Sequence, residues 1–238
     1  MITTKFVNDK ELKDKPYREA IGSLLYLSTI SRPDISFTVN YLSRQVCQPK
    51  VSHWKMVERL FRYLQGTKDF GIFFDGKCKL QVYTDSNYGG VDLDMCSTNG
   101  VLVNYGGPII WFAQKQKVTA ISSAEAEYRA AVLGIQEVSW IRRIINELKM
   151  EHLIKPTDLF IDNKASIHML ENVEEGKITK SKKHIEIKRK FINQHIGKTV
   201  NPVYIKSKDQ LADIFTKPLS KGPFLYLREK LLKEECWH

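Results

Sequence analysis

Several acidic residues stand at positions where a folded chain would bring carboxylates together around a metal ion. Asp85 follows the predicted strand Leu80–Thr84, and Asp162 follows the predicted strand Thr157–Ile161. Open α/β sheets bind ligands at the carboxyl ends of their strands, so two such aspartates on adjacent strands would meet at one edge. Like charges at that range repel strongly unless a cation neutralises them. The pattern favours a divalent metal site, although Asp162 could instead cap the helix that follows it.

Two further acids are candidates for the same site. Glu127 lies one turn into the predicted helix Ser123–Leu148, and Asp213 lies in the last predicted core helix, Asp209–Phe215. Glu125 competes with Glu127, because the two are two residues apart and point in different directions; periodicity does not decide which one faces the site. Acids in the first turn of a helix are also favoured by the helix dipole without any catalytic role.

Magnesium chemistry fits this set of ligands without a nucleophilic side chain. Mg²⁺ prefers oxygen ligands and takes few carboxylates, and water and substrate phosphate fill its other positions. Two ions roughly 4 Å apart activate a water and stabilise a leaving 3′ oxygen. The sequence contains no GxSxG, P-loop or HExxH motif. We therefore expect two Mg²⁺ ions, with Mn²⁺ as the alternative metal. The expected ligands are Asp85, Glu127, Asp162 and Asp213.

The charge balance favours a polyanionic partner. Lys and Arg number 37 against 27 Asp and Glu, a formal net charge of +10, and such an excess favours phosphate contacts through counterion release. The stretch 177–198 carries eight Lys or Arg and one acid. It could clamp a nucleic-acid backbone or form a solvated amphipathic helix, just as Asn163 could contact a ribose or only start a helix. The candidates for substrate contact are Ser86, Asn163, Lys182, Lys183, His184, Lys188 and Arg189.

The elements that must position these residues fall into two parts, predicted to be domains 1–75 and 76–238. Apolar spacing in the first part is typical of three helices, and the second part shows strands first and then strands alternating with helices. That order argues for an α/β fold with a mixed sheet. The predicted helices of the first part are Tyr17–Ile30, Pro33–Gln48 and Ser52–Leu64, with a short strand at Gly71–Phe74. The predicted elements of the second part, besides those above, are strands Asn99–Asn104, Pro108–Ala113 with Lys117–Ile121, and Val203–Lys206, and helices Lys164–Leu170 and Lys182–Ile196.

Composition argues against two other classes of protein. No stretch approaches the roughly 20 apolar residues that a bilayer crossing needs, so we expect no membrane span. The four cysteines are scattered without a CxxC pair, which argues against a zinc site and against a disulfide framework. The charged N-terminal stretch lacks an apolar signal core, so an intracellular protein is expected.

Six ordered blocks resemble the C-terminal part of a copia-type LTR-retrotransposon Pol polyprotein. These blocks are Tyr83–Ser86, Trp111–Lys117, Ile121–Tyr128, Ile161–Ala165, Lys183–Ile187 and Asp209–Leu219. The first part of the chain resembles the thumb or connection region that joins reverse transcriptase to RNase H in the same polyprotein. Its carriers are Pro16–Leu24, Arg32–Ile35 and His53–Thr67. The resemblance thus covers roughly residues 16–232.

The resemblance implies an RNase H-like fold, a mixed five-stranded sheet flanked by helices and preceded by a small all-helical subdomain. It implies a metal-dependent endoribonuclease that cleaves the RNA strand of RNA–DNA hybrids during retrotransposon reverse transcription. The four acids Asp85, Glu127, Asp162 and Asp213 match the family's metal-binding positions, and the family pattern selects Glu127 over Glu125. The implied partners are the hybrid and the rest of the Pol reverse transcriptase, in a cytoplasmic virus-like particle or in the nucleus. Nothing resembles a polymerase palm, so no polymerase activity is expected.

Some residues depart from the family pattern and leave other functions open. Asn87 and Tyr88 replace the usual acid and Trp after the first aspartate, and Met95-Cys96 replaces a usual basic residue. Neither change touches an expected metal ligand, but both could alter the grip on substrate. One alternative is a truncated or domesticated nucleic-acid-binding module without useful catalysis. Another is an assembly role for the helical first part.

Overall fold

The computed structural model describes residues 9–76, 79–90, 95–149, 155–172 and 190–234. The chain forms two compact units, one of residues 1–73 together with 217–238, and the other of residues 74–216. The segment 217–238 thus groups with the helical first part of the chain, whereas the sequence assigned it to the second domain. The predicted domain limits, 1–75 and 76–238, stay a prediction.

The first unit is built from helices around an apolar core. Its helices are α1 (Tyr17–Ile30), α2 (Ser36–Ser43), α3 (Val51–Gln65) and a C-terminal helix, Lys221–Leu231. The predicted second helix, Pro33–Gln48, is shorter than expected: Pro33–Ile35 forms a 3-10 turn and α2 ends at Ser43. Pro49 disfavours helical conformation at Gln48, the residue at which the predicted helix ends. The core comprises Leu24, Ile35, Val39, Leu42 and Val57, each at most 1% exposed.

A buried ion pair joins the turn after α1 to the end of α3. Arg32 donates through Nε and Nη2 to the two carboxylate oxygens of Asp34, at 3.0 and 2.8 Å. Its Nη1 donates to the backbone oxygen of Thr67, and Tyr63 Oη donates to Asp34 Oδ2. All polar ends of this pair therefore have partners, as a buried pair requires. Beyond α3, Phe70–Gly71 (β1) pairs antiparallel with Lys233–Glu234, so the predicted strand Gly71–Phe74 begins one residue earlier and is shorter.

The second unit contains the predicted mixed sheet of five strands. In chain order the strands are β2 (Leu80–Asn87), β3 (Thr98–Tyr105), β4 (Pro108–Lys115), β5 (Thr157–Ile161) and β6 (Val200–Tyr204), and their spatial order is β4-β3-β2-β5-β6. The pairs β4–β3 and β3–β2 are antiparallel, whereas β2–β5 and β5–β6 are parallel. The α/β architecture expected from the sequence, a five-stranded mixed sheet flanked by helices, is therefore confirmed.

Two strand limits differ from the prediction in ways that matter for the acids. β2 runs on to Asn87, so Asp85 lies inside this strand, opposite Gly100 of β3, and not at its exit. The parallel ladder with β5 nevertheless stops at the pair Tyr83 and Phe160, so Asp85 lies beyond the end of that ladder. The predicted strand extension Lys117–Ile121 is wrong, because the chain turns there towards the next helix.

The long helix α4 (Ser123–Glu147) packs one face on the sheet. Ala131, Ile135 and Val138 are fully buried in the same core as Val82 and Leu159. At Gly134 an added Cβ would lie 2.5 Å from Thr84 Cγ2 and 3.0 Å from Val82 Cγ1, so only glycine permits this approach. The approach to β2 brings the first turns of α4 over the carboxyl ends of the strands.

The remaining elements follow the sheet. Helix α5 (Lys164–Glu171) follows β5, and residues 190–195 are helical before β6. The predicted helix Asp209–Phe215 is wrong: two 3-10 turns, Ser207–Asp209 and Leu211–Phe215, are separated by the extended backbone of Gln210, whose ψ is 102°. Among the described residues, no helix combines the length and the apolar character that a bilayer crossing requires.

Candidate metal centre

Three of the four expected acids converge at the carboxyl ends of β2 and β5. Asp85 comes from β2, Glu127 from the second turn of α4, and Asp162 from the residue after β5. One carboxylate oxygen of each lies within 4.8 Å of the others. Asp85 is 4% exposed and Glu127 is 8% exposed. Asp162 is partly buried. Such a set of oxygen atoms, close together and with two of the three residues buried, suits a hard divalent cation.

The first turn of α4 decides between Glu125 and Glu127. Ser122 caps the helix by accepting the backbone N–H of Glu125 at 3.1 Å. The Glu125 carboxylate accepts the backbone N–H of Ile121 at 2.8 Å and pairs with Arg129 at 2.6 Å. These contacts hold Glu125 outside the acidic cluster, and the helical rotation over two residues turns Glu127 into it.

Asn163 supplies the cap of α5 and also holds Glu127. Its Oδ1 accepts the backbone N–H groups of Ala165 and Ser166, at 2.9 and 3.3 Å. Its Nδ2 donates to Glu127 Oε1 at 3.1 Å, and Ser166 Oγ donates to Glu127 Oε2 at 3.4 Å. The capping role left open for Asp162 thus belongs to Asn163. The predicted contact of Asn163 with a ribose stays a prediction.

The Asp85 carboxylate is held from the other side by Thr216. Thr216 Oγ1 donates to Asp85 Oδ2 at 2.6 Å, and the threonine is fully buried. The turn that carries Thr216 lies tightly on β3, because a Cβ added to Gly100 would come within 2.6 Å of the Ala212 backbone oxygen. A short hydrogen bond to a carboxylate oxygen fixes the orientation of that carboxylate.

The three carboxylates lie close enough together for the charge of one to influence the others. The pKa of the Glu127 carboxyl is raised from 4.5 to about 7, chiefly by burial and also by the charges of Asp162 and Asp85, whereas the hydrogen bonds from Asn163 and Ser166 oppose the change. A carboxyl that resists ionisation beside two other acids is the expected state of a cation site without its cation. The residues present therefore fit a divalent ion.

Asp213, the fourth expected ligand, is not in this group. It lies in the 3-10 turn Leu211–Phe215 and is 7% exposed. Among the described residues, the acidic oxygens that lie together belong to Asp85, Glu127 and Asp162. A direct role for Asp213 as a ligand stays a prediction.

The expected substrate contacts are only partly described. Ser86 is 7% exposed, and its Oγ accepts a hydrogen bond from Gln116 Nε2 at 3.2 Å, so its side chain has an internal partner. Lys182, Lys183, His184, Lys188 and Arg189 lie outside the described residues, as does most of the predicted helix Lys182–Ile196. Their roles in binding substrate stay predictions.

Three residues that sequence reasoning gave no role lie directly around the site. Gln116 is buried, and its Nε2 donates to Asn99 Oδ1 at 2.6 Å and to the Ala126 backbone oxygen at 3.0 Å, next to Glu127. Gln210 and Thr216 contact the strand ends and Asp85. All three stand inside the blocks Trp111–Lys117 and Asp209–Leu219. Membership of those blocks was the only signal in the sequence that pointed to them.

The chain is similar in sequence to polyproteins of plant transposons. It is 38% identical over 220 residues to the retrovirus-related Pol polyprotein from transposon RE2 of Arabidopsis thaliana, a match that covers 90% of this chain and 15% of that protein. It is 31% identical over 217 residues to the one from transposon TNT 1-94 of Nicotiana tabacum, a match that covers 90% of this chain and 16% of that protein. The chain thus spans less than one fifth of the length of these relatives. No family model matches the chain.

Among solved structures, the chain is similar to LC11-RNase H1 in a crystal structure of its complex with an RNA/DNA hybrid. The TM-score is 0.42 and the sequence identity is 15%, and the match covers 58% of this chain and 94% of that chain.

Proposed function

Over 90% of its length this chain belongs with one segment of the copia-type, retrovirus-related Pol polyproteins, and on that premise we propose that it is a metal-dependent endoribonuclease acting on the RNA strand of RNA–DNA hybrids. The observation that carries the proposal is the convergence of Asp85, Glu127 and Asp162 within 4.8 Å at the carboxyl ends of two parallel strands. The proposed enzyme is a hydrolase of phosphodiester bonds, and we expect no polymerase activity from this segment.

The chain's own residues provide a preorganised binding site for the metal, which we propose to be Mg²⁺ or, in its place, Mn²⁺. Asp85, Glu127 and Asp162 would bind it through their clustered oxygens. When bound, divalent ions activate the attacking water and stabilise the leaving 3′ oxygen. Thr216 fixes the carboxylate of Asp85, and Asn163 and Ser166 fix that of Glu127. Preorganisation of this kind removes the need for carboxylates to reorient when substrate arrives.

The proposed substrate is an RNA–DNA hybrid. A hybrid with A-like geometry offers phosphates and 2′-hydroxyl groups, which are recognised by shape more than by sequence. The net charge of +10 supports binding of this polyanion. We place the activity in retrotransposon reverse transcription, together with the rest of the Pol reverse transcriptase, inside the cell in a cytoplasmic particle or in the nucleus.

Substitution of Asp85 tests the proposal. Asp85→Asn keeps an oxygen acceptor for Thr216 but removes a negative charge from the cluster, so cleavage of an RNA–DNA hybrid in Mg²⁺ should fall by more than the roughly 10- to 100-fold that is typical when a residue that only orients a metal ligand is lost. Binding of the hybrid in EDTA and the circular dichroism spectrum should stay unchanged. Asp158→Asn is the matched control, since Asp158 lies on β5 but pairs with Lys79 at 3.1 Å, outside the cluster. Wild-type cleavage by Asp85→Asn would remove the basis of the proposal.

A second candidate function is a nucleic-acid-binding module without useful catalysis. The observation that favours it is the charge, because the excess of ten positive charges predicts polyanion binding whether or not the acids act. Hybrid binding in EDTA without cleavage in either Mg²⁺ or Mn²⁺ would support this function over the first. Cleavage that Asp85→Asn abolishes would decide in favour of the nuclease.

A further inference from the structure

The two strands that carry the aspartates separate just before the metal centre. The parallel ladder of β2 and β5 ends at the pair Tyr83 and Phe160. Asp85 and Asp162 each lie two residues beyond that last pair. From there β2 stays paired with β3, and β5 stays paired with β6. The distance between the two aspartates therefore depends on what holds this fork between β2 and β5.

Gln210 fills the fork. Its side chain is fully buried, and its Nε2 donates to the backbone oxygens of Thr84, at 3.1 Å, and Phe160, at 3.3 Å. Thr84 immediately precedes Asp85 on β2, and Phe160 belongs to the last pair of the ladder. One amide group thus joins both strands at the place where they stop bonding to each other.

The other end of the same amide anchors it. Gln210 Oε1 accepts the backbone N–H of Ala212 at 3.2 Å, and the extended backbone of Gln210 separates the two 3-10 turns on either side. The extended backbone at Gln210, which interrupts the predicted helix Asp209–Phe215, thus allows this side chain to reach the fork between β2 and β5. The same turn carries on to Thr216, which holds Asp85.

Few side chains could replace this contact. The fork requires two donors on one planar nitrogen and one acceptor beside it, and only Gln and Asn offer this set. Glutamate would place a carboxylate against two carbonyl oxygens, and methionine would leave buried carbonyl groups without donors, which is costly in a low-dielectric interior.

We propose that Gln210 is a positioning residue for the metal centre: its amide sets the spacing of the β2 and β5 ends, and with it the separation of the Asp85 and Asp162 carboxylates. The inference rests on the proposed function only for the use of that spacing, because the hydrogen bonds of Gln210 go to backbone groups of Thr84, Phe160 and Ala212. Loss of a residue that orients metal ligands typically lowers metal affinity by about 10- to 100-fold.

Binding of Mn²⁺ alone, measured by calorimetry without nucleic acid, is the direct test. Gln210→Met should keep the wild-type circular dichroism spectrum and bind Mn²⁺ about 10-fold or more weakly. Gln210→Glu, which retains an acceptor for Ala212 but loses both donors, should bind no better than Gln210→Met. Affinity for the hybrid in EDTA should change less than about threefold, since no phosphate contact is lost. Cleavage should need a higher Mn²⁺ concentration and recover at saturating Mn²⁺.

The matched control is Ile145→Ala. Ile145 is a buried residue on the same helix as Glu127, about 27 Å further along it, so its truncation weakens the core without touching the fork. The control should keep wild-type Mn²⁺ affinity. An equal loss of Mn²⁺ affinity in Ile145→Ala, or wild-type affinity in folded Gln210→Met, overturns the inference.

Two further outcomes separate this inference from the proposed nuclease function. If the wild type binds Mn²⁺, Gln210→Met binds it more weakly and neither cleaves a hybrid, the positioning role stands and the nuclease proposal fails. If the wild type binds no Mn²⁺, the inference is overturned as well. Should Gln210→Met not fold, side-chain amide exchange in the wild type decides: the Nε2 protons of Gln210 should exchange slowly, and rapid exchange contradicts the double contact.

Discussion

Replacing Glu127 by glutamine should stabilise the metal-free protein at alkaline pH, although it removes a proposed metal ligand. Glutamine keeps one oxygen that can accept from Asn163, and its NH2 group can donate to Ser166 Oγ where the second carboxylate oxygen of Glu127 accepts. What it removes is a negative charge that is buried beside Asp85 and Asp162. Variants of functional residues that gain stability are expected where a site stores unfavourable charge for its ligand.

The size of the effect follows from the pKa of Glu127, which burial and the charges of Asp162 and Asp85 together raise from 4.5 to about 7. Each pKa unit corresponds to about 1.4 kcal/mol. The folded state binds the proton more tightly than the unfolded state, so the stabilising contribution is full below pH 4.5 and is lost as the pH rises through 7. At pH 8 the free energy of unfolding of the wild type should be lower by about 3 kcal/mol because of this loss, which Glu127→Gln does not suffer. At pH 5 the corresponding loss in the wild type should be less than about 1 kcal/mol.

Urea unfolding in EDTA at several pH values between 5 and 8 measures this difference. Because the chain has two compact units, the signal must come from the second one. Trp111 and Trp140 lie in that unit, so fluorescence in a Trp54→Phe, Trp237→Phe background reports on it. Glu125→Gln is the matched control, since Glu125 lies two residues earlier, outside the cluster.

The stability of Glu127→Gln relative to the wild type should rise with pH, and saturating Mg²⁺ should reduce or reverse the difference, because a bound cation neutralises the cluster in the wild type. The control should show no such rise. A flat difference between Glu127→Gln and the wild type from pH 5 to pH 8 would refute the argument that burial and the neighbouring aspartates hold Glu127 protonated.

Two further predictions concern packing and buried charge. Gly134→Ala should destabilise the second unit by about 1–3 kcal/mol, because its Cβ would overlap Thr84 Cγ2 at 2.5 Å. The control is Gly22→Ala in α1, where nothing lies within 4 Å of the added Cβ, and this variant should be neutral or more stable by up to about 1 kcal/mol. Thermal unfolding that ranks the two variants in the reverse order would contradict the packing of α4 on β2. Asp34→Asn should destabilise the first unit by about 3–5 kcal/mol, because Arg32 would keep a buried charge without its partner. The control is Asp69→Asn, since Asp69 is exposed. Equal urea midpoints for the two variants would show that the buried pair contributes nothing to stability.

Local patterns in the sequence determined much of the secondary structure. The apolar spacing of α1 and α4 predicted their limits to within one residue, because a helix that packs one face on a core must repeat its apolar residues at that period. The strand Thr157–Ile161 was predicted with its observed limits, which placed Asp162 at a strand end. Resemblance to a family, and not periodicity, selected Glu127, because residues 125 and 127 both fit the amphipathic pattern.

Other elements were misjudged because nearby residues do not control them. β2 extends to Asn87 because its last residues pair with β3. The residues of β2 alone do not reveal this pairing with a distant strand. The segment Asp209–Phe215 has helical composition, yet the side chain of Gln210 is drawn into the sheet and the helix is broken.

The sequence by itself determined which acids could form a metal site, and it placed Glu127 near the start of a helix and Asp162 directly after a strand, because these are local features. Only the tertiary structure decided which of those acids meet and what holds them: Asp85, Glu127 and Asp162 come together, and Asp213 does not join them. The supporting hydrogen bonds join Gln210 to Thr84 across 126 residues and Thr216 to Asp85 across 131 residues. Contacts at such separations are set by how the sheet, α4 and the last turns pack, and no local pattern of residues encodes them.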